Sequence, residues 1–167
     1  SVIQYTRAYV AFTTKCVFVP DVPNNEGLLR RITVDAPARS IVNALEPAPV
    51  QSRHVVGMVL QGAVFKAYAE CAPSRTQADS GTPPAIVTYH GTKPDGAPYL
   101  TYDFVNGGVG GKSFGDGRST KSYPSNLANI PIEIIESIAP LLYLEQRLIP
   151  DSGGVGVRRG GLGQRKS

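Results

Sequence analysis

The residues with the most chemical potential lie between positions 105 and 136. In "VNGGVGGKSFGDG", Val105 to Gly117, a Lys-Ser pair follows a run of glycines, close to the phosphate-cradling pattern Gly-x-x-x-x-Gly-Lys-Ser/Thr. Asn106 stands where that pattern needs its first glycine, and the segment after Ser113 holds two more glycines and a proline where a helix N-terminus should face the phosphate. Glycine there then serves one of two ends. It lets the chain turn through left-handed backbone, or it lets a ligand or a neighbouring chain approach the backbone. Further on, Glu133 and Glu136 stand three apart, the spacing of one helix face, and paired carboxylates can divide acid and base roles. The competing explanation is a solvated helix face.

Other chemistries find little support. His54 and His90 have no partner at metal-ligand spacing, and no Gly-x-Ser-x-Gly nucleophile elbow occurs. Cys16 and Cys71 lie far apart in apolar surroundings and are expected to be reduced, buried thiols. No apolar run approaches the ~20 residues of a membrane span.

Several elements must position these groups. The 167 residues make about one domain, with 18 Gly and 14 Pro, so turns and loops should be abundant and long helices few. Apolar spacing predicts a helix over Tyr5 to Phe18, closed by Pro20. "RRITVDAP" alternates like a strand, and "SIVNALEPAPV" carries two prolines and should be irregular. A second helix should follow Ser52 as N-cap, with Val55, Val56, Val59, Leu60, Ala63, Val64, Ala67 and Tyr68 on its buried face and Gly57 and Gly62 marking close packing. "AIVTYHGT" and "APYLTYDFV", joined by "KPDG", read as a β-hairpin. Pro131 and Pro140 bracket a short helix, Ile132 to Ile138, and "LLYLEQRLIP" alternates as a strand. The fold class is therefore mixed α+β, with two longer helices, short strands and glycine-rich loops.

The formal net charge is +4, yet Arg158, Arg159, Arg165 and Lys166 supply that excess, leaving 13 basic and 13 acidic side chains in the body. The basic residues read as a tail at 158–167. A single Arg-Gly-Gly without aromatics is a weak nucleic-acid signal, and neither nucleic acid nor membrane is expected as a partner.

The carboxy-terminal third strongly resembles the hydantoinase B/oxoprolinase family. Asn129, Pro131, Glu133, Glu136, Pro140, Tyr143, Asp151 to Gly154, Gly156 and Arg159 to Gly163 stand in the order of that family's motif. Upstream, "YTRAYVAF", residues 21–50 and Arg53 resemble the family's middle part, and the glycine run resembles its own loop ahead of Asn-x-Pro. Between Ala72 and Pro84 the chain departs from the family pattern.

The resemblance implies that 1–167 is a central to carboxy-terminal portion of a larger, multi-layer B-type subunit. It implies an ATP-dependent hydrolase that opens cyclic amides such as 5-oxoproline and N-methylhydantoin. Carboxylation of acetone or acetophenone is the alternative activity, and a non-catalytic interaction module is the alternative from another class. ATP and Mg are expected on a hydantoinase A-type partner, in a cytoplasmic hetero-oligomer, with none bound by this chain. The family's metal-associated His and Asp motifs lie in an amino-terminal part with no counterpart here, so a divalent metal is expected there and none among these residues. Asn129 and the glycines Gly107, Gly108, Gly110 and Gly111 are the expected substrate-binding residues, and Glu133 is the candidate catalytic one.

Overall fold

A computed structural model describes residues 2–81 and 84–167. They form two compact units, Ser1–Asp79 and Ser80–Ser167, whose boundary falls in the Pro-, Ser- and Gly-rich segment that departs from the family pattern. The architecture is mixed α+β, as composition and periodicity predict. No helix among the described residues is long and apolar enough to cross a membrane.

The first unit is helical. α1, Val2–Phe18, ends ahead of Pro20, whose ring disfavours helical backbone in the residue before it. α2, Glu26–Leu29, is a single turn capped by Asn25, whose side chain accepts from the Leu28 N–H at 3.1 Å. α3, Arg53–Tyr68, packs against α1. Ser52 precedes it, but its hydroxyl makes no capping hydrogen bond.

Glycine sets the contact between α1 and α3. A Cβ at Gly57 would run into the Tyr9 ring, so the absence of a side chain is what lets that aromatic lie against α3. Gly62 likewise leaves room for the Asp79 carboxylate. The buried face of α3 is in consequence Gly57, Gln61 and Phe65, and Val59 of the expected apolar face points to solvent at 57% exposure. Around this seam Thr14 Oγ1 meets the Tyr68 hydroxyl at 2.8 Å, Phe18 packs edge-on against Tyr68, and the Arg53 guanidinium lies 5.0 Å from the Tyr5 ring centre. Thr6 donates to the Val42 carbonyl at 2.5 Å and holds the proline-rich loop against α1.

Two local expectations give way here. Residues 32–37 form no strand, because the first unit holds no other strand among its described residues to complete a ladder. Cys71 is exposed just beyond α3 and Cys16 is half-buried, so neither is the buried thiol expected.

The second unit is built on a hairpin. β1, Ala85–Thr92, pairs antiparallel with β2, Pro98–Val105, from Ala85 opposite Val105 to Thr92 opposite Pro98. Its turn closes through Lys93 N–H to Ala97 O at 2.8 Å and Gly96 N–H to Lys93 O at 2.9 Å, with Gly96 at φ 85°. α4, Ile132–Ile138, packs on β2 through Ile135 and Ala139. β3, Gln146–Leu148, pairs antiparallel with β4, Gln164–Lys166. The last residues of the basic carboxy-terminal segment are thus a strand that also contacts β2.

Close approach of backbone to backbone within the chain accounts for several glycines of the run. Gly96 is the one glycine at positive φ among the described residues, so left-handed backbone is not why residues 107–117 need glycine. What comes close is the chain itself. Val109 N–H donates to Arg118 O and Gly161 N–H to Val109 O, each at 2.9 Å, and Gly117 N–H donates to Arg159 O at 2.7 Å. A Cβ at Gly108 would overlap the Gly161 carbonyl, at Gly117 the Val109 carbonyl, and at Gly161 the Arg118 carbonyl.

These obstructions are backbone atoms held by hydrogen bonds and cannot swing aside. Gly108→Ala is expected to lower unfolding free energy by about 1–3 kcal/mol, the usual cost of overpacking. Gly115→Ala, where a Cβ meets nothing within 4 Å, should leave it within about 0.5 kcal/mol of wild type. Chemical denaturation of the two variants measures both.

Candidate functional site

The segment after the glycine loop brings Asn129 beside the end of β2, and there three side-chain amides meet. Asn129 Oδ1 accepts from Gln164 Nε2 at 2.7 Å and from Asn106 Nδ2 at 3.2 Å. Gln164 Nε2 also donates to the Asn106 backbone carbonyl at 3.1 Å, and Asn106 Nδ2 to the Leu127 carbonyl at 3.4 Å. Backbone carbonyls can only accept, so these two contacts fix which end of each amide is nitrogen. Two consequences follow. Asn106 Oδ1 and Gln164 Oε1 are buried and accept from no described residue, while Asn129 Nδ2, on a half-buried side chain, is left as a donor.

A charged pair lies beneath the amide node. Asp103 is 1% exposed on β2, two residues from buried Thr101 on the same face of the strand. Lys166 on β4 donates to both its carboxylate oxygens, at 2.8 and 2.7 Å, and to the Phe104 carbonyl at 3.1 Å, using all three ammonium protons. The Tyr143 hydroxyl donates to Asp103 Oδ2 at 2.9 Å. Burial first, then hydrogen bonds to Tyr89 and Asp103 and the nearby carboxylate charge, push the Tyr143 hydroxyl well above the ordinary tyrosine range.

α4 separates the two carboxylates by role. Glu136 Oε1 accepts from the Tyr143 backbone N–H at 2.7 Å and so holds the chain beyond the helix. Glu133 is exposed and bonds to no described residue, in the first turn where the helix dipole favours an anion. Gly107, Gly108, Gly110 and Gly111 line up at the end of β2. The Gly110 N–H is donated to Ser80 Oγ at 3.3 Å, and Gly108 O accepts from Gly81 N–H at 2.6 Å. His54 opens α3, and His90 lies on β1 opposite Leu100. Among the described residues, no group of three or more His, Cys, Asp and Glu is arranged to hold a metal ion.

Asp103, Asn106, Gln164 and Lys166 are the residues that sequence reading missed. A faint signal was present. Asp103 interrupts an otherwise aromatic and β-branched strand, and Gln164 and Lys166 are spaced two apart, as on one strand face.

Comparison with known proteins supplies the family. Hydantoinase B/oxoprolinase matches residues 1–167, and the chain belongs to it. An uncharacterised protein of Methanocaldococcus jannaschii is 36% identical over 99% of this chain and 29% of its own length. A putative D-/L-hydantoinase of a Pseudomonas species is 32% identical, in its B component, over 84% of this chain and 24% of that component. The beta component of the caprolactamase of Pseudomonas jessenii is 33% identical over 86% and 26%. The chain thus spans less than a third of the length of these relatives. No solved structure matches it.

Removing one member of the buried pair strands the other charge. Lys166→Met is expected to cost about 3–5 kcal/mol, and the double variant Asp103→Leu with Lys166→Met to recover a large part of it, in a thermal double-mutant cycle. Alkaline pH tests Tyr143. Its folded-state pKa lies above the unfolded value of 10.0, so the stability it contributes is complete below pH 10 and is lost as pH rises further. Tyr143→Phe should flatten that alkaline loss in pH-dependent denaturation.

Proposed function

We propose that this chain is part of the B-type component of an ATP-dependent enzyme that opens cyclic amides, acting in a multi-subunit assembly with an A-type partner that activates the substrate. The observation that carries this reading is the amide node. It offers one unused N–H donor, Asn129 Nδ2, on a half-buried side chain whose oxygen is held by Gln164 and Asn106. A ring amide presents a carbonyl oxygen that such a fixed donor can bond. Relatives named for hydantoin, caprolactam and 5-oxoproline all bear names of ring amides, which supports the same substrate class.

Opening the ring requires charge to be stabilised on the carbonyl oxygen while water attacks the carbon. In this reading Asn129 Nδ2 donates to that oxygen, assisted by the N–H of half-buried Gly107, while Gly108, Gly110 and Gly111 shape the loop. Glu133 is the general base that takes the proton from water and, as the acid so formed, returns it to the ring nitrogen as the C–N bond breaks. Its exposure leaves it within reach of water and substrate, whereas Glu136 is committed to the Tyr143 backbone. ATP and Mg belong to the partner, any divalent metal to another part of the B-type subunit, and the assembly to the cytoplasm.

The test uses the full-length subunit with its A-type partner on 5-oxoproline, hydantoin, N-methylhydantoin and caprolactam, and on acetone with bicarbonate. ATP hydrolysis coupled to ring opening is expected, and Glu133→Gln should lower kcat about 100-fold or more with assembly unchanged. Turnover of acetone alone would move the assignment to carboxylation. No substrate-dependent ATP hydrolysis anywhere in the panel would overturn the reading, and full activity of the Glu133→Gln enzyme would leave this chain an interaction module.

A further inference from the structure

Beyond the amide node, the second unit has a cleft of about 500 Å³ whose lining includes Lys112, Phe114, Asp116, Arg118, Lys121 and Tyr123. Three cations and a single carboxylate line it, and Asp116 Oδ1 is already engaged by the Arg159 N–H at 3.0 Å. None of the three cations is in an ion pair among the described residues. Like charges gathered without a counter-charge repel one another, and the arrangement gains stability when an anion enters.

The backbone of the cleft is held at several points. Lys112 exchanges backbone hydrogen bonds with Gly115, at 2.9 and 3.3 Å, so its main chain is fixed. Its ammonium lies 5.6 Å from the Phe114 ring centre and 5.7 Å from that of Tyr123, which position the charge while leaving its protons free to donate. Phe114 is 80% exposed, an unusual place for a ring that covers no core. Thr120 and Asn126 bracket Lys121 and Tyr123 with backbone at φ 48° and 57°, a left-handed conformation that is costly above all for the β-branched Thr120. Thr120 is pinned there by its N–H to the Leu162 carbonyl at 3.0 Å. Such strain, maintained by the surrounding packing, accompanies functional sites.

We infer that this cleft binds a small molecule through an anionic group, a phosphate or a carboxylate, with Lys112, Lys121 and Arg118 as the charge partners and the Phe114 and Tyr123 rings flanking its organic part. The incomplete phosphate motif at Gly111-Lys112-Ser113 is thus an anion site of another construction, with side-chain ammonium and guanidinium groups in place of a cradle of loop amides. The inference does not rest on the cyclic-amide reading.

Isothermal titration of the full-length protein with inorganic phosphate, and separately with acetate and 5-oxoproline, tests it at ionic strength held constant with potassium chloride. Saturable binding of at least one anion is expected, weakened about tenfold or more in Lys112→Met and in Lys121→Met. Phosphate binding tighter than acetate identifies a phosphoryl ligand, and the reverse a carboxylate; 5-oxoproline binding above acetate adds the ring contact. Phe114→Ala, which removes a ring holding Lys112 and no core side chain, should weaken the same anion with the melting temperature unchanged. Absence of saturable binding to all three, or equal affinity in wild type and both lysine variants, overturns the assignment. Anion binding lost in Lys112→Met stands even where no ring opening is found, which separates this result from the catalytic test.

Discussion

The second unit depends on stretches of backbone lying closer together than side chains allow. Residues 107–111, 116–120 and 153–163 are joined by N–H to C=O bonds of 2.7–3.0 Å, with no Cβ between them at Gly108, Gly117 and Gly161. Such packing buries peptide groups without buried side chains, so its cohesion comes from satisfied hydrogen bonds more than from apolar area. It explains how a region so poor in large buried hydrophobes, with Ile135 and Val109 among the few, still fixes its loops. Once these loops are fixed, both the Lys112 turn and the approach to Asn129 are fixed with them.

The Asp103–Lys166 pair is the second constraint, and it acts on register. Shifting β4 by one residue would turn Lys166 and Gln164 to the opposite face, leaving Asp103 buried without a counter-charge and Asn129 without one of its donors. An apolar pair would hold the strands together but would tolerate slippage. The ion pair is thus best understood as fixing where Gln164 meets Asn129, a case in which buried charge secures geometry more than stability.

What was legible in the sequence follows from how local each signal is. α4 is bracketed by Pro131 and Pro140, and the hairpin announces itself through Lys-Pro-Asp-Gly, so both stand where periodicity and turn chemistry put them. Residues 32–37 have the alternation of a strand but no partner, and partnership is a property of the rest of the chain. The buried face of α3 was misjudged because a glycine, which carries no hydrophobic signal, selects it by admitting Tyr9. Asn129 was visible through the family motif. Its partners Asn106 and Gln164 lie 23 and 35 residues away, and no local pattern links them.

The amide node and the basic cleft differ in a way that bears on their roles. At the node, backbone carbonyls that can only accept orient Gln164 and Asn106, and these two orient Asn129, so its remaining donor is set before any ligand arrives. Preorganised dipoles of this kind serve a transition state, because they need no reorganisation when charge develops. In the cleft the charges sit on flexible ammonium and guanidinium stems, restrained at Lys112 by two rings. Such groups recognise an anion already present in the ground state, which raises affinity without raising the rate of a chemical step. The proposed chemistry at the node and the proposed binding in the cleft thus ask different things of the two constructions: a fixed dipole in one, fixed charge in the other.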